Sequence, residues 1–113
     1  MPGATVPKTG REELFALQAG FCKGMAHPTR MRLLESLRDG EKRVSELAEA
    51  AGVTQANASQ HLAVLRQFGL LGTRRSGSAI YYRIRDRRVA EVYDLVRNCV
   101  EGGFREPHPA VPL

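Results

Sequence analysis

The stretch Val44–Leu71, VSELAEAAGVTQANASQHLAVLRQFGLL, carries the signal that sets the fold. Val44–Ala51 reads as a short helix that must stop at Gly52, where the chain bends. Thr54 then stands where an N-cap belongs, its hydroxyl free to accept from an orphan backbone N–H. The following helix, about residues 55–68, turns Ala58, Leu62, Leu65 and Phe68 inward. Gln55, Asn57, Ser59, Gln60 and His61 remain among the outward positions. Two short helices joined by a tight turn, the second with a face of amides and hydroxyls, form a helix-turn-helix whose polar face suits base edges in a major groove.

Downstream, Leu70–Arg75 and Ala79–Arg85 read as strands around Ser76-Gly77-Ser78, a hairpin turn. In the second strand Ile80, Tyr82 and Ile84 alternate with Tyr81, Arg83 and Arg85, giving one apolar face and one basic face. Asp86 is placed to cap a last helix that carries Val89, Val92, Tyr93, Val96, Cys99 and Val100 along one side. Upstream, Thr9-Gly10-Arg11-Glu12 has the pattern of a capping box. A first helix is expected from there, with Leu14, Leu17, Phe21 and Met25 on one stripe and Phe15, Cys22 and Ala26 on a second. His27-Pro28 breaks it. Pro28 suits the first position of the next helix, which buries Met31, Leu33, Leu34 and Leu37 and stops at Gly40. The order α-α-α-α-β-β-α, mainly helical with a β-hairpin wing, is that of a winged helix-turn-helix. Residues 1–8 read as a flexible N-terminus, 9–103 as the single DNA-binding and dimerisation domain, and the proline-rich 104–113 as an irregular tail.

The chain has 113 residues, room for one modest core, which a small helical protein often completes by dimerising. Seventeen Lys and Arg against twelve Asp and Glu give a net charge of +5, which favours an anionic partner. The surplus is local. Between Gly72 and Arg88, Arg74, Arg75, Arg83, Arg85, Arg87 and Arg88 face one acid, Asp86, so the rest of the chain is close to neutral. There is no apolar run of the ~18 residues a membrane span needs and no secretory signal pattern. A cytoplasmic location without membrane contact is expected. Two cysteines in a reducing compartment do not imply a structural disulfide.

The motifs, in order, resemble those of the ArsR/SmtB family of bacterial repressors over about residues 12–101. They are Ala26-His27-Pro28-Thr29-Arg30 with Arg32-Leu33-Leu34; Val44-Ser45-Glu46-Leu47-Ala48; Ser59-Gln60-His61-Leu62 with Leu65-Arg66 and Gly69-Leu70-Leu71; and Arg75-Ser76-Gly77 with Tyr81-Tyr82. The resemblance implies a homodimer joined by its first and last helices. It also implies binding to a palindromic double-stranded operator, and release when an inducer lowers DNA affinity.

On that basis Gln55, Asn57, Ser59, Gln60 and His61 are the groove candidates. Five positions spread over ~100° steps cannot all face the bases, so Gln55, Ser59 and Gln60 rank above Asn57 and His61. His61 has the competing reading of a half-buried ring that supports the helix, and Thr54 that of a cap alone. Arg66 is expected on phosphate or paired with an acid. Arg74 and Arg75 flank the wing and are expected at backbone phosphate or minor groove, with Tyr81 beside them; Tyr82 belongs with the core. Such contacts supply affinity and salt dependence more than sequence choice.

Neither metal site of the family is carried over. The stretch Glu41–Glu46, where one site places its Cys-x-Cys, has no thiol. The four positions of the last-helix site hold Asp86, Arg88, Cys99 and Gly102, of which arginine and glycine are not ligands. No metal site or cofactor is assigned. Cys22 and Cys99, on the two helices the family joins at its interface, resemble the dithiol sensors of reactive sulfur or oxidants in that family. Those sensors place their first cysteine in the second helix, where this chain has Glu35. The alternatives are that both are inert small apolar side chains, or that they bind a soft metal or arsenite, Cu(I) with help from Met25 or His27. A winged helix used for protein contact alone is a further reading. An enzyme is not expected: no carboxylate pair, nucleophile with its base, or phosphate loop is present.

Overall fold

The computed structural model describes residues 8–103, so the expectations for residues 1–7 and for the tail 104–113 lie outside the described residues. Helix α1 spans Glu13–Met25 and follows a π-type turn, Lys8–Glu12, that is kinked at Gly10. The capping box expected at Thr9–Glu12 therefore does not start this helix. The backbone at Gly10 leaves helical geometry (φ −112°, ψ −120°), and Glu12 precedes α1 without a side-chain cap bond. Helix α2, Pro28–Ser36, begins as its sequence requires, with Pro28 in the first turn and His27 Nδ1 accepting from the Thr29 N–H at 3.1 Å.

The helix-turn-helix consists of α3, Val44–Ala51, and α4, Gln55–Gln67. Glu46 Oε1 accepts from the Arg43 backbone N–H at 2.9 Å and closes the start of α3. Gly52 ends it in the left-handed region (φ +72°), a conformation open to glycine without the Cβ penalty. Thr54 Oγ1 accepts from the Asn57 N–H at 3.0 Å and starts α4. The wing is formed by β2, Leu71–Ser76, and β3, Ala79–Ile84, paired antiparallel from Leu71 with Ile84 to Ser76 with Ala79. A third strand was not expected: β1, Lys42–Arg43, pairs with Tyr82 and Tyr81 on the other edge of β3. Two residues are too few to show an alternating pattern. Asp86 Oδ1 accepts from the Arg88 N–H at 2.9 Å and caps α5, Arg87–Glu101.

Leu33, Leu34 and Leu37 of α2, Leu47 and Ala48 of α3, Ala58, Leu62 and Leu65 of α4, and Leu70 and Leu71 make one buried core. Tyr82 and Ile84 pack against it, whereas Ile80, nearer the wing tip, is exposed. Helix α1 reaches the core only through its last turns. There Gly20 and Gly24 lie so close to Phe68 and Leu70 that a Cβ at Gly24 would stand 3.1 Å from Leu70 Cδ1. Its first half leaves Leu14, Phe15 and Leu17 in solvent. Helix α5 buries only Val89 and Tyr93 and exposes Val92, Leu95, Val96 and Val100. Among the described residues, no helix is long and apolar enough to cross a membrane. The two end helices thus carry apolar faces that the other described residues of the chain do not cover.

Leu65 is fully buried where α4 meets the rest of the core. Leu65→Ala is expected to cost about 2–5 kcal/mol, seen as a lower midpoint in urea unfolding followed by circular dichroism; a midpoint unchanged from the parent would contradict this packing.

Candidate nucleic-acid interface

Helix α4 is sorted by the core into two flanks. Burying Ala58, Leu62 and Leu65 leaves Gln55, Ala56, Ser59, Gln60, Ala63, Arg66 and Gln67 exposed along the opposite side. Gln55, Ser59 and Gln60 thus share an open polar stripe with Arg66 at its far end, and the alanines between them allow close approach. Asn57 and His61 fall on the half-buried flank.

His61 is tied into a polar joint. Its ring lies 4.4 Å from that of His27 at 41°, and its Nδ1 stands 3.2 Å from Arg30 Nη1. A guanidinium only donates, so Nδ1 accepts and the ring proton sits on Nε2. Arg30 also donates from Nε to the Gly24 carbonyl at 2.7 Å and from Nη2 to the Lys23 carbonyl at 3.1 Å, closing the end of α1. Burial, and then the neighbouring His27 and Arg30, hold His61 below the usual histidine pKa. The geometry therefore gives His61 a supporting place. Sequence reasoning did not assign Arg30 a role; the signal available for it was its place in the Ala26–Arg30 motif.

In the wing, Arg74 is already engaged. Its Nε donates to both carboxylate oxygens of Glu41, at 3.1 and 3.2 Å, and its Nη2 makes a close contact with one of them. The guanidinium lies 4.9 Å from the Tyr81 ring centroid, a cation–π stack. The Arg74 hydrogen bond holds the Glu41 carboxyl below the usual carboxylate range. Glu41 is the second residue missed from sequence; a lone acid in a loop offers no local sign of a partner 33 positions away. Arg75 is exposed, and across the hairpin Arg83 Nη1 donates to the Thr73 carbonyl at 3.2 Å. Between wing and helix-turn-helix runs a groove of about 380 Å³ whose walls include Arg43, Ser45, Gln55, Ser78 and Tyr82. Helix α4 and the wing therefore border one groove, whose polar residues Arg43, Ser45, Gln55 and Ser78 are set among the apolar Val44, Ala79 and Ile80.

Cys22 and Cys99 are both free and exposed thiols, on α1 and α5. Asp86, capping α5, also accepts from the Arg88 guanidinium at 2.6 and 3.0 Å, which holds its carboxyl far below the usual range.

Residues 27–72 match the model of the bacterial regulatory proteins of the arsR family. An uncharacterised HTH-type transcriptional regulator of Mycobacterium tuberculosis is 40% identical over 87 residues, 76% of each chain. This chain belongs to the ArsR family. It is accordingly a DNA-binding transcriptional regulator and not an enzyme. The biofilm growth-associated repressor of Xylella fastidiosa is 36% identical over 95 residues, 81% of this chain and 83% of that one. The solution structure of a homodimeric winged helix-turn-helix DNA-binding domain from Mycobacterium bovis superposes with a TM-score of 0.78 at 31% identity, covering 89% of this chain and 94% of that one.

A histidine whose folded pKa lies below its unfolded value of 6.5 leaves the unfolded chain holding more protons as pH falls through 6.5. Stability is then complete above that pH and declines below it, until the folded form protonates too. Urea unfolding between pH 7.5 and 5 should show a steeper loss for the parent than for His61→Asn; parallel pH profiles would refute the neutral, desolvated ring.

Proposed function

We propose that this chain is a homodimeric repressor acting in the cytoplasm. In this reading it reads an operator through α4, grips the backbone through the wing, and releases DNA when Cys22 and Cys99 are oxidised or per- or polysulfidated. The observation that carries the DNA reading is the open stripe Gln55–Ser59–Gln60 beside a wing that presents Arg75 and a stacked Arg74. Amides can bond adenine edges in pairs, and arginines neutralise phosphate. Asn57 and His61 then serve the helix more than the bases. The uncovered faces of α1 and α5 support dimerisation through these helices. Two reading heads must match successive major grooves, about 34–36 Å apart, so a change at the dimer helices alters DNA affinity.

Both cysteines lie on those helices and are exposed in the single chain, at the faces that the proposed dimer brings together. A soft metal or arsenite held by the same thiolates is the alternative inducer. It draws on the same exposure, although two thiols per subunit fall short of the three that arsenite favours.

The test is fluorescence anisotropy on DNA from the protein's own promoter, with reduced protein and after an organic tetrasulfide. Binding by the reduced form, lost on treatment, restored by dithiothreitol and insensitive to treatment in Cys22→Ser and Cys99→Ser, is the expected result. Unchanged binding after treatment overturns the thiol switch. Arg75→Ala should lower the slope of log affinity against log salt by about 1. Gln60→Ala should cost about 1–3 kcal/mol on the operator with little effect on unrelated DNA.

A further inference from the structure

We infer that Cys22 bridges to Cys99 of the partner subunit, and not to Cys99 of its own chain, so that oxidation staples the dimer twice. This rests on the proposed reading of the two cysteines as the sensing pair and of α1 and α5 as the dimer helices. It starts from where one chain puts each thiol. Phe21 lines a groove with Gly69, Arg85, Val89 and Val92, which brings the backbone of its neighbour Cys22 to the side of the N-terminal half of α5. Gly20 and Gly24, packed on Phe68 and Leu70, hold this part of α1 in place. Cys99 lies seven positions beyond Val92 in the last turns of α5. At about 1.5 Å per residue, that is roughly 10 Å along the helix, beyond the ~4.4–6.8 Å between Cα atoms that a disulfide spans. Closing the bridge within one chain would require unwinding α5 or detaching α1 from its glycine contacts.

A second copy removes the gap. The exposed apolar residues of α5, Val92, Leu95, Val96 and Val100, form a stripe at helical spacing centred on Val96. In a two-fold dimer the same patch meets itself. Antiparallel pairing sets opposite dipole ends together. It also lays the half of α5 that buries nothing after Tyr93 against the end that is anchored in the other subunit's body. Pairing about Val96 matches position 92 with 100 and position 93 with 99. Cys99 of the partner subunit therefore arrives beside Val92 and Tyr93, next to the groove that Phe21 lines and hence next to Cys22. The same symmetry leaves the two copies of Cys99 about six positions apart, too far to bridge each other. Phe15, one stripe position back from Cys22, is exposed at 51% and continues the uncovered face.

With a peroxide as oxidant the step balances. The Cys22 thiolate attacks one peroxide oxygen, the O–O bond breaks, and a sulfenic acid and hydroxide result; the hydroxide takes the proton that the Cys22 thiol gave up and becomes water. The thiolate of Cys99 of the partner subunit then attacks that sulfur, the S–O bond breaks, and the departing hydroxide takes the proton given up by that thiol to form a second water. Two thiols and one hydrogen peroxide thus become one disulfide and two waters. Two-fold symmetry repeats this on the other side.

Full-length reduced protein is treated with hydrogen peroxide, quenched with N-ethylmaleimide and run on a denaturing gel without reductant. A band at twice the monomer mass that dithiothreitol collapses is expected. Neither Cys22→Ser nor Cys99→Ser alone should give it. Mixed and exchanged, the two variants should give it again, in about half of the chains, through one bridge per mixed dimer. A monomer-sized product with Cys22 and Cys99 joined by mass spectrometry overturns the inference, as does cross-linking of either variant by itself. Anisotropy on the same samples separates the two readings. A cross-linked dimer that still binds DNA supports the bridge and defeats the switch. DNA release without a cross-link defeats the bridge and leaves the switch standing.

Discussion

The guanidinium of Arg30 is the contact on which the placement of the reading helix depends. It closes the last carbonyls of α1, belongs to α2, and donates to His61 on α4. Leucine packing brings these three helices together but is tolerant of sliding, because dispersion and burial have little directional preference. A hydrogen-bonded cation has a fixed geometry, and leaving any of its partners unsatisfied in a half-buried place is costly. The joint works only while His61 is neutral, since a protonated Nδ1 would face Arg30 and could not accept. Desolvation, which lowers the His61 pKa, and the hydrogen bond that needs its lone pair are thus consistent demands.

By contrast, α5 is tied to the DNA-reading body lightly. Apart from Val89 and Tyr93 its anchors are polar. Tyr93 donates to Glu35 at 2.7 Å, Arg97 reaches Glu35 at 2.5 Å, and Arg38 meets Asp94 at 2.8 Å. Burial and the Glu35 carboxylate push the Tyr93 hydroxyl up to about 12, so it stays a donor across the physiological range. The ion pairs around it are exposed, and such pairs contribute little and weaken with salt. Val89 and Tyr93 fix the N-terminal half of α5 in the core, whereas beyond Tyr93 exposed charges tie it to α2. In the proposed dimer, that is the joint along which a change at the interface would travel.

Most of the fold could be read from the chain because its signals are local. Thr54, Asp86, His27-Pro28 and Gly52 each act within a few residues, and each stands in the predicted cap or turn. The inward set Ala58, Leu62 and Leu65 follows from helical spacing alone. What could not be read was set by contacts distant in sequence or by elements too short to have a period. β1 exists because β3 offers it an edge. Glu41 matters because Arg74 comes to it. The Thr9–Glu12 pattern failed because Gly10 took a non-helical backbone that the capping motif does not forbid. The polar stripe of α4 and its division from Asn57 and His61 followed from helical geometry, but the partner that holds His61, Arg30, needed the structure to be seen.

The Glu41–Arg74 pair bears on how a basic wing can be selective. A free arginine on a hairpin would sample many rotamers and pay their entropy on meeting phosphate. Held between a carboxylate and the Tyr81 face, Arg74 is ordered before DNA arrives and half of its side chain remains open. The carboxylate also subtracts a charge from the wing, which moderates the attraction to any polyanion. In the proposed reading, the lost electrostatic grip weakens the sequence-independent part of binding that right and wrong sites share, and the choice between them is left to the groove contacts of Gln55, Ser59 and Gln60.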